Sequence, residues 1–217
     1  MNLQEYKTVL GKGEDSIEIK KSEFIGYVSH CDTEEEAIAF IDEIRKLNRQ
    51  ATHNCYAYII GENKLTQRYS DDGEPQGTAG IPILEVLKKE DLTNLCVVVT
   101  RYYGGVKLGA SGLIRAYSKG AVIAIESVDN VWMKNYNKVQ VDVDYTLLGK
   151  VDNFILTNEY FEIKREYTDI VSILLYISID EYKEFENQII EMTSANANIL
   201  VLEKLLLASK NRKIIGV

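Results

Sequence analysis

Apolar and polar positions follow two rhythms along this chain. From Ile17 to His30 β-branched and aromatic residues mix with polar ones, which predicts one strand, with Gly11-Lys12-Gly13 as a turn before it. Asp32-Thr33-Glu34-Glu35-Glu36 has the look of a helix start. Thr33 and Glu36 stand at capping-box spacing, and the carboxylates suit the positive helix end. The stripe Ile38, Ile41 and Ile44, with Phe40 and Leu47 close to it, continues that helix. Period two returns at Asn54–Ile60, where Tyr56, Tyr58 and Ile60 share a face, and Leu65–Tyr69 is its expected partner through Gly61-Glu62-Asn63. Ser70–Gly77 is turn chemistry throughout. A short helix over Ile81–Lys89 is expected next, with Pro82 tolerated in its first turn. The unbroken apolar run Leu95–Thr100 predicts a buried central strand. A second helix, from about Ser111 to Glu126, turns Leu113, Ile114, Tyr117, Ala121 and Ile125 inward.

Val128–Tyr136 reads as a connector, after which a second unit begins. Val139, Val141, Val143 and Tyr145 alternate with polar residues as a half-buried strand; Leu148, Val151 and Ile155 mark a helix. Tyr160–Tyr167 and Val171–Ile179 form a hairpin through Thr168-Asp169, Tyr182 to Met192 a second helix, and Ile199–Leu207 a last strand. The order β-α-β-β-α-β is the ferredoxin-like split βαβ pattern. The expected fold is therefore α+β in two domains, residues 1–130 and 137–217.

A length of 217 residues suits two small domains, and 46% hydrophobic with 27% charged residues is ordinary globular composition. No apolar run approaches the roughly 20 residues of a membrane span. Met1-Asn2-Leu3-Gln4-Glu5 lacks the order of a signal peptide. A cytoplasmic protein without membrane contact is expected. Three cysteines without a Cys-x-x-Cys pair argue against zinc and for packed thiols, so neither metal nor cofactor is expected. The net charge of −8 opposes nonspecific coating of nucleic acid. Yet Leu95–Ile125 and Ile44–Gly61 hold no Asp or Glu, while Arg101, Lys107, Arg115, Lys119, Arg45, Lys46 and Arg49 lie in them. An acidic protein can still present a basic face.

Two loops carry candidate chemistry. Between Arg101 and Gly112 a buried strand ends, Gly104, Gly105, Gly109 and Gly112 occur close together, and a helix begins. Glycines let backbone approach a ligand, and the helix start offers free N–H groups at a positive dipole end. With Arg101, Lys107 and Arg115 nearby, this is a recipe for holding phosphate or another anion, although no Walker loop is present. The alternative is a strand-to-helix turn that needs glycine for its backbone angles alone. Ser70–Gly77 sets Asp71, Asp72 and Glu74 beside Gly73 and Pro75. These carboxylates could move protons or bind Mg²⁺, but Asp-Gly more commonly supports a turn, and Ser70, Gly73, Glu74 and Pro75 are read as loop-supporting residues. His53 and Cys55 share a strand face, so a thiol nucleophile with a base is conceivable, with Asp71 or Asp72 to orient it. A strand-edge histidine and a packed cysteine are the commoner outcome. Tyr56, Tyr58, Tyr69, Tyr102 and Tyr103 near Arg68 and Arg101 could stack bases, although core or sheet-surface packing is commoner.

Taken together, Lys21–Gly26, Thr52–Tyr58, Arg68–Gly80, Asp91–Asn94 and Arg101–Gly109 occur in an order and spacing that resembles the IMPACT family, in its bacterial YigZ branch. The resemblance covers about residues 15–127. The sequence departs at Glu23, where many members carry a basic residue, and at Ala110-Ser111, where Thr-Gly or Gly-Gly is usual. The second departure removes a glycine from the candidate anion loop. The resemblance implies an N-terminal domain like the second domain of a ribosomal small-subunit protein. It also implies a C-terminal domain related in shape to the last domain of elongation factor G, and a link to translation control.

Three readings follow. The first is a noncatalytic regulator that binds RNA, the ribosome or another phosphate-bearing partner through Arg101, Gly104, Gly105, Lys107, Gly109 and Arg115. The second is an enzyme acting on a small anion between the two loops, with His53, Asp71 and Asp72 as candidates for proton transfer. The third is a protein-interaction adaptor whose loops are purely structural.

Overall fold

The structure is a computed structural model that describes residues 3–216; Met1, Asn2 and Val217, including the first two residues of the segment weighed as a signal peptide, lie outside the described residues. The chain divides into two compact units: Tyr6–Val131, and Trp132 onward together with residues 3–5.

The first unit opens with β1 (Tyr6–Val9), β2 (Lys12–Ile19) and β3 (Ser22–His30). It continues through α1 (Glu34–Leu47), β4 (His53–Ile60), β5 (Thr66–Ser70), α2 (Gly80–Lys89), β6 (Leu95–Tyr102) and α3 (Ala110–Glu126). Five strands form an antiparallel sheet in the order β2-β3-β6-β4-β5. The centre belongs to β6, as its apolar run predicts. Helices cover both faces, and this is why Val97-Val98-Val99 is apolar without alternation. Val97 and Val99 join the cluster under α2 and α3 with Phe24, Cys55, Ile59, Ile83 and Tyr117. Cys96 and Val98 face the other way, packing under α1 with Tyr27, Phe40, Ile41 and Ile44.

The start of α1 bears out its capping box. Thr33 Oγ1 accepts from Glu36 N at 3.2 Å, and the Glu36 carboxylate accepts from Asp32 N at 2.7 Å. The inward face is rotated from the expected stripe: Ala37, Phe40, Ile41 and Ile44 are buried, while Ile38 and Leu47 are exposed. A single strand over residues 17–30 is also corrected. β2 and β3 are a hairpin whose turn is Lys20-Lys21, both at positive φ (48° and 65°). Such a two-residue turn usually carries glycine or asparagine, so two lysines left no signal. In α3, Leu113, Tyr117, Ala121 and Ile125 point inward as expected, but Ile114 is exposed.

The second unit holds most of β7 (Asn130–Val143), then α4 (Tyr145–Thr157), β8 (Phe161–Tyr167), β9 (Val171–Ser178), α5 (Ile179–Thr193), β10 (Asn198–Lys210) and β11 (Lys213–Ile214). The antiparallel strand order β10-β7-β9-β8 is the ferredoxin-like arrangement, with the short β11 added beyond β10. Val139, Val141, Val143, Ile173, Leu175 and Ile177 pack with Val151 and Ile155 of α4 and Phe185 and Ile189 of α5. The residues expected as a connector are largely strand, since β7 already begins at Asn130. Tyr145 opens α4 and is exposed instead of continuing the strand.

Candidate anion-binding site

Strand register sets the site at one end of the first sheet. Arg101, near the end of β6, stands opposite Phe24 of β3 and His53 of β4. All three are on the face that α2 and α3 cover, two or more positions along from Val99, Cys55 and their neighbours in that cluster. The loop after β5 folds over this end and brings its three acids in.

Each acid has a separate and specific task. Asp71 closes its own loop: Oδ2 accepts from Gly77 N at 2.8 Å, and Oδ1 from Ala79 N at 3.0 Å and Gly80 N at 2.8 Å. These last two N–H groups open α2, so Asp71 caps that helix from a distance, where Ala79 at the cap position has no side chain to do so. Asp72 fastens the loop to the sheet. Its Oδ2 accepts from Asn54 N at 2.6 Å and its Oδ1 from Arg45 at 3.3 Å. Ser70 Oγ accepts from Asp72 N at 3.1 Å, and Gly73 takes φ +89°, where a side chain would be strained. Pro75 O accepts from Thr78 N at 3.1 Å and Thr78 Oγ1 at 2.6 Å.

Glu74 is the acid that reaches inward. Its side chain is 4% exposed and its Oε1 accepts from Arg101 Nη1 at 2.6 Å and from the Tyr117 hydroxyl at 2.8 Å. Arg101, 7% exposed, lies between the rings of Phe24 and Tyr103, with Cζ 5.5 and 5.2 Å from their centroids. Its Nη2 reaches Ser22 Oγ at 3.5 Å, while Nε is buried without a hydrogen-bond partner. His53 donates from Nδ1 to the Asp72 carbonyl at 2.8 Å; a carbonyl only accepts, so Nδ1 carries the proton. Its Nε2 is left facing Glu74 at 3.8 Å.

These placements sort the candidates. Both carboxylates named for proton transfer, Asp71 and Asp72, are occupied by backbone N–H groups. The acidic loop is tied to the basic one by the ion pair of Glu74 with Arg101. Cys55 lies on the same face as His53 but is buried and donates to the Asp71 carbonyl at 3.0 Å. Burial pushes its thiol well above the ordinary cysteine range, which keeps it protonated and poorly nucleophilic. Gly104 is required by packing: a Cβ there would fall 1.7 Å from the Lys21 carbonyl of the β2–β3 turn. Gly105 and Gly109 lie at positive φ with open space around them.

A cavity of about 420 Å³ remains at this sheet end, lined among others by Thr52, His53, Pro75, Arg101, Tyr103 and Lys107 and reaching the start of α3 at Gly109, Ala110 and Leu113. The two loops therefore share one concavity, to which the acidic loop contributes Pro75. Gly109 at the cap of α3 supplies no side-chain hydrogen bond to the first-turn N–H groups. Lys107 is exposed and forms no ion pair among the described residues. The acid-free stretch 44–61 comes to the same place: Thr52 N donates to Arg101 O at 2.8 Å, and Thr52 Oγ1 accepts from Tyr103 N at 3.1 Å. Arg115 is not part of it and lines a different groove, between α2 and α3. Among the described residues no group of three or more His, Cys, Asp or Glu is spaced to hold a metal ion.

Sequence reasoning missed Tyr117, Ser22 and Asn48. Tyr117 looks like any inward helix aromatic, yet its hydroxyl completes the Glu74–Arg101 pair. Asn48 ends α1 and binds the hydroxyls of Tyr27 at 3.2 Å and Tyr102 at 2.9 Å. The one sequence signal was a polar residue at the end of an apolar stripe.

A helix-covered antiparallel sheet with this loop pair, followed by a ferredoxin-like domain, defines a two-domain α+β protein of one architecture. The profile of the Impact N-terminal domain matches residues 20–125, and that of a domain of unknown function, DUF1949, matches residues 141–196. The chain is 44% identical over 197 residues to the IMPACT family member YvyE of Bacillus subtilis (strain 168), covering 91% of each chain. It is 31% identical to the IMPACT family member YigZ of Escherichia coli (strain K12), over 86% of this chain and 93% of that one. The chain belongs to the IMPACT family. A "Protein IMPACT homolog" of Saccharomyces cerevisiae (strain ATCC 204508 / S288c) is 31% identical over 98 residues, 44% of this chain and 38% of that one. A crystal structure of a hypothetical protein superposes with a TM-score of 0.59 at 28% identity, covering 93% of this chain and 98% of that one. No described helix is long and apolar enough to cross a membrane.

Proposed function

We propose that this protein is a translation-associated regulator that binds RNA, free or within the ribosome, through the concavity at the start of α3. The observation that supports the reading is the convergence there of Lys107, the open N–H groups of the first α3 turn and two acid-free stretches of an otherwise acidic chain. Phosphate suits such a place, because both the helix dipole and the free cation favour an anion. Tyr103, 46% exposed, offers a ring for a base at the rim. Arg101 serves indirectly, by holding Tyr103 and the loop in place from its pair with Glu74. The family resemblance supplies the link to translation. A cytoplasmic location accompanies this reading. An enzyme acting on a small anion has less support, since the carboxylates that would move protons are engaged as loop and helix caps.

The test is binding of labelled single-stranded RNA and of purified ribosomes from about 50 to about 200 mM salt. Wild-type affinity is expected to fall steeply, and Lys107→Ala to lower the salt slope by about 0.7 to 1 unit. Undiminished affinity in Lys107→Ala at every salt concentration overturns the proposal.

A further inference from the structure

Away from that concavity, α2 and α3 lie side by side on the sheet and leave a groove of about 670 Å³ between their outer faces. Its floor is apolar: Ile81, Pro82, Val86, Ile114 and Val122 line it. Ile81 and Ile114 are 39% and 41% exposed, although Ile114 stands at helical spacing from the buried Tyr117 and Ala121. Ile114 is the residue that the amphipathic pattern of α3 assigns to the interior, and the fold turns it outward into this groove.

The rim is charged unevenly. Glu85 is engaged by Lys88 of the same helix at 3.1 Å, and Glu90 by Lys7, whose Nζ donates to the Glu90 carbonyl at 3.0 Å and lies 3.8 Å from its carboxylate. Lys89, Arg115 and Lys119 have no ion pair among the described residues. An apolar trough with unpaired cations along its edges matches a helix that carries apolar anchors on one side and carboxylates beside them. Two adjacent helices also offer the ridges between which a third can seat.

We propose that the α2–α3 groove docks an acidic amphipathic helix of a protein partner. Apolar side chains spaced i, i+3/i+4 and i+7 would enter between Ile81, Ile114 and Val122, and flanking Asp or Glu would face Lys89, Arg115 and Lys119. The apolar floor favours a protein over RNA. The site is separate from the concavity at the start of α3 and does not depend on the nucleic-acid reading.

The probe is a fluorescein-labelled synthetic peptide of about 16 residues, roughly 24 Å as a helix, close to the 17-residue length of α3. It carries Leu at the anchor positions and Glu beside them; a second peptide replaces every Glu with Lys, and a single-stranded RNA serves as competitor. The full chain is expected to bind the Glu peptide at least about tenfold more tightly than the Lys peptide, with methyl NMR shifts at Ile81, Ile114 and Val122. Ile114→Asp is expected to weaken the Glu peptide more than about tenfold. Arg115→Glu/Lys119→Glu is expected to invert the preference, a result that loss of folding cannot produce. Equal binding of the two peptides, shifts confined to other residues, or displacement of the Glu peptide from these methyl groups by the RNA overturns the proposal.

Discussion

Removing the Glu74 carboxylate is the most direct way to ask what holds the two loops together. In Glu74→Ala, Arg101 keeps a charge that is 7% exposed and loses its 2.6 Å partner, and the buried Tyr117 hydroxyl loses its acceptor at 2.8 Å. Breaking a buried pair from one side costs about 3–5 kcal/mol, because the remaining charge is neither solvated nor compensated. At a urea m-value of about 2 kcal/mol/M this corresponds to a midpoint about 1.5–2.5 M lower for the first unit. Glu74→Gln keeps an acceptor for Tyr117 and should cost less, about 1–3 kcal/mol. The informative variant removes the whole polar group: Glu74→Leu with Arg101→Met and Tyr117→Phe leaves no orphan, and Met can pack between Phe24 and Tyr103. It should recover to within about 1–2 kcal/mol of wild type. The assay is urea unfolding followed by circular dichroism, with amide hydrogen exchange at β6 reporting the first unit separately. A cost below about 1 kcal/mol for Glu74→Ala, or a triple variant as unstable as that single one, refutes the reasoning.

Three further outcomes are expected. Burial raises all three thiols, Cys31 to about 11, and it holds Cys55 and Cys96 well above the ordinary cysteine range. At pH 8 the thiolate of Cys31 is about one part in a thousand, so iodoacetamide should label the native protein far more slowly than the urea-unfolded chain; rapid native labelling of Cys55 would reopen its reading as a nucleophile. In the second unit burial tends to raise the Asp142 carboxyl, but hydrogen bonds from Ser172, Gln140 and Asn198 outweigh it and leave it lowered. A lowered folded-state pKa contributes stability that is fully present above the unfolded value of about 3.9 and is lost as pH falls through the folded value. Asp142→Ala should therefore flatten the acid limb of that unit's stability profile below about pH 4; an unchanged limb contradicts the assignment. Gly26 of β3 lies against α3, where a Cβ would fall 2.1 Å from the Gly120 carbonyl, so Gly26→Ala should push the helix off the sheet and cost at least about 1–3 kcal/mol by thermal unfolding.

Local rules made much of the fold legible. The Thr33–Glu36 capping box, the period-two face of β4 and the apolar run of β6 each follow from forces acting within a few residues. The sheet of the second unit was legible for the same reason, from alternating valines and a hairpin with a clear turn. Illegible features involve either unusual local chemistry or distant partners. Lys20-Lys21 turns a hairpin without glycine, held by pairing across β2 and β3. Ile114 obeys the helical period, but whether a position on a helix flank is covered depends on what packs beside it, and α2 leaves that flank open.

The candidate site divides along the same line. Sequence alone determined that two glycine-bearing loops punctuate the chain, that one is acidic, that the other leads from a buried strand into a helix, and that acid-free stretches surround it. Spacing and composition carry that information because turns and helix ends are local. Tertiary structure alone decided which acid does what: Asp71 caps α2, Asp72 ties the loop to β4, and Glu74 goes inward to Arg101 and Tyr117, 27 and 43 positions away. It also separated Arg115 from Lys107, placing one in the α2–α3 groove and the other beside the open start of α3. Three neighbouring carboxylates are nearly equivalent along the chain, and only the three-dimensional positions of their N–H, guanidinium and hydroxyl partners distinguish them.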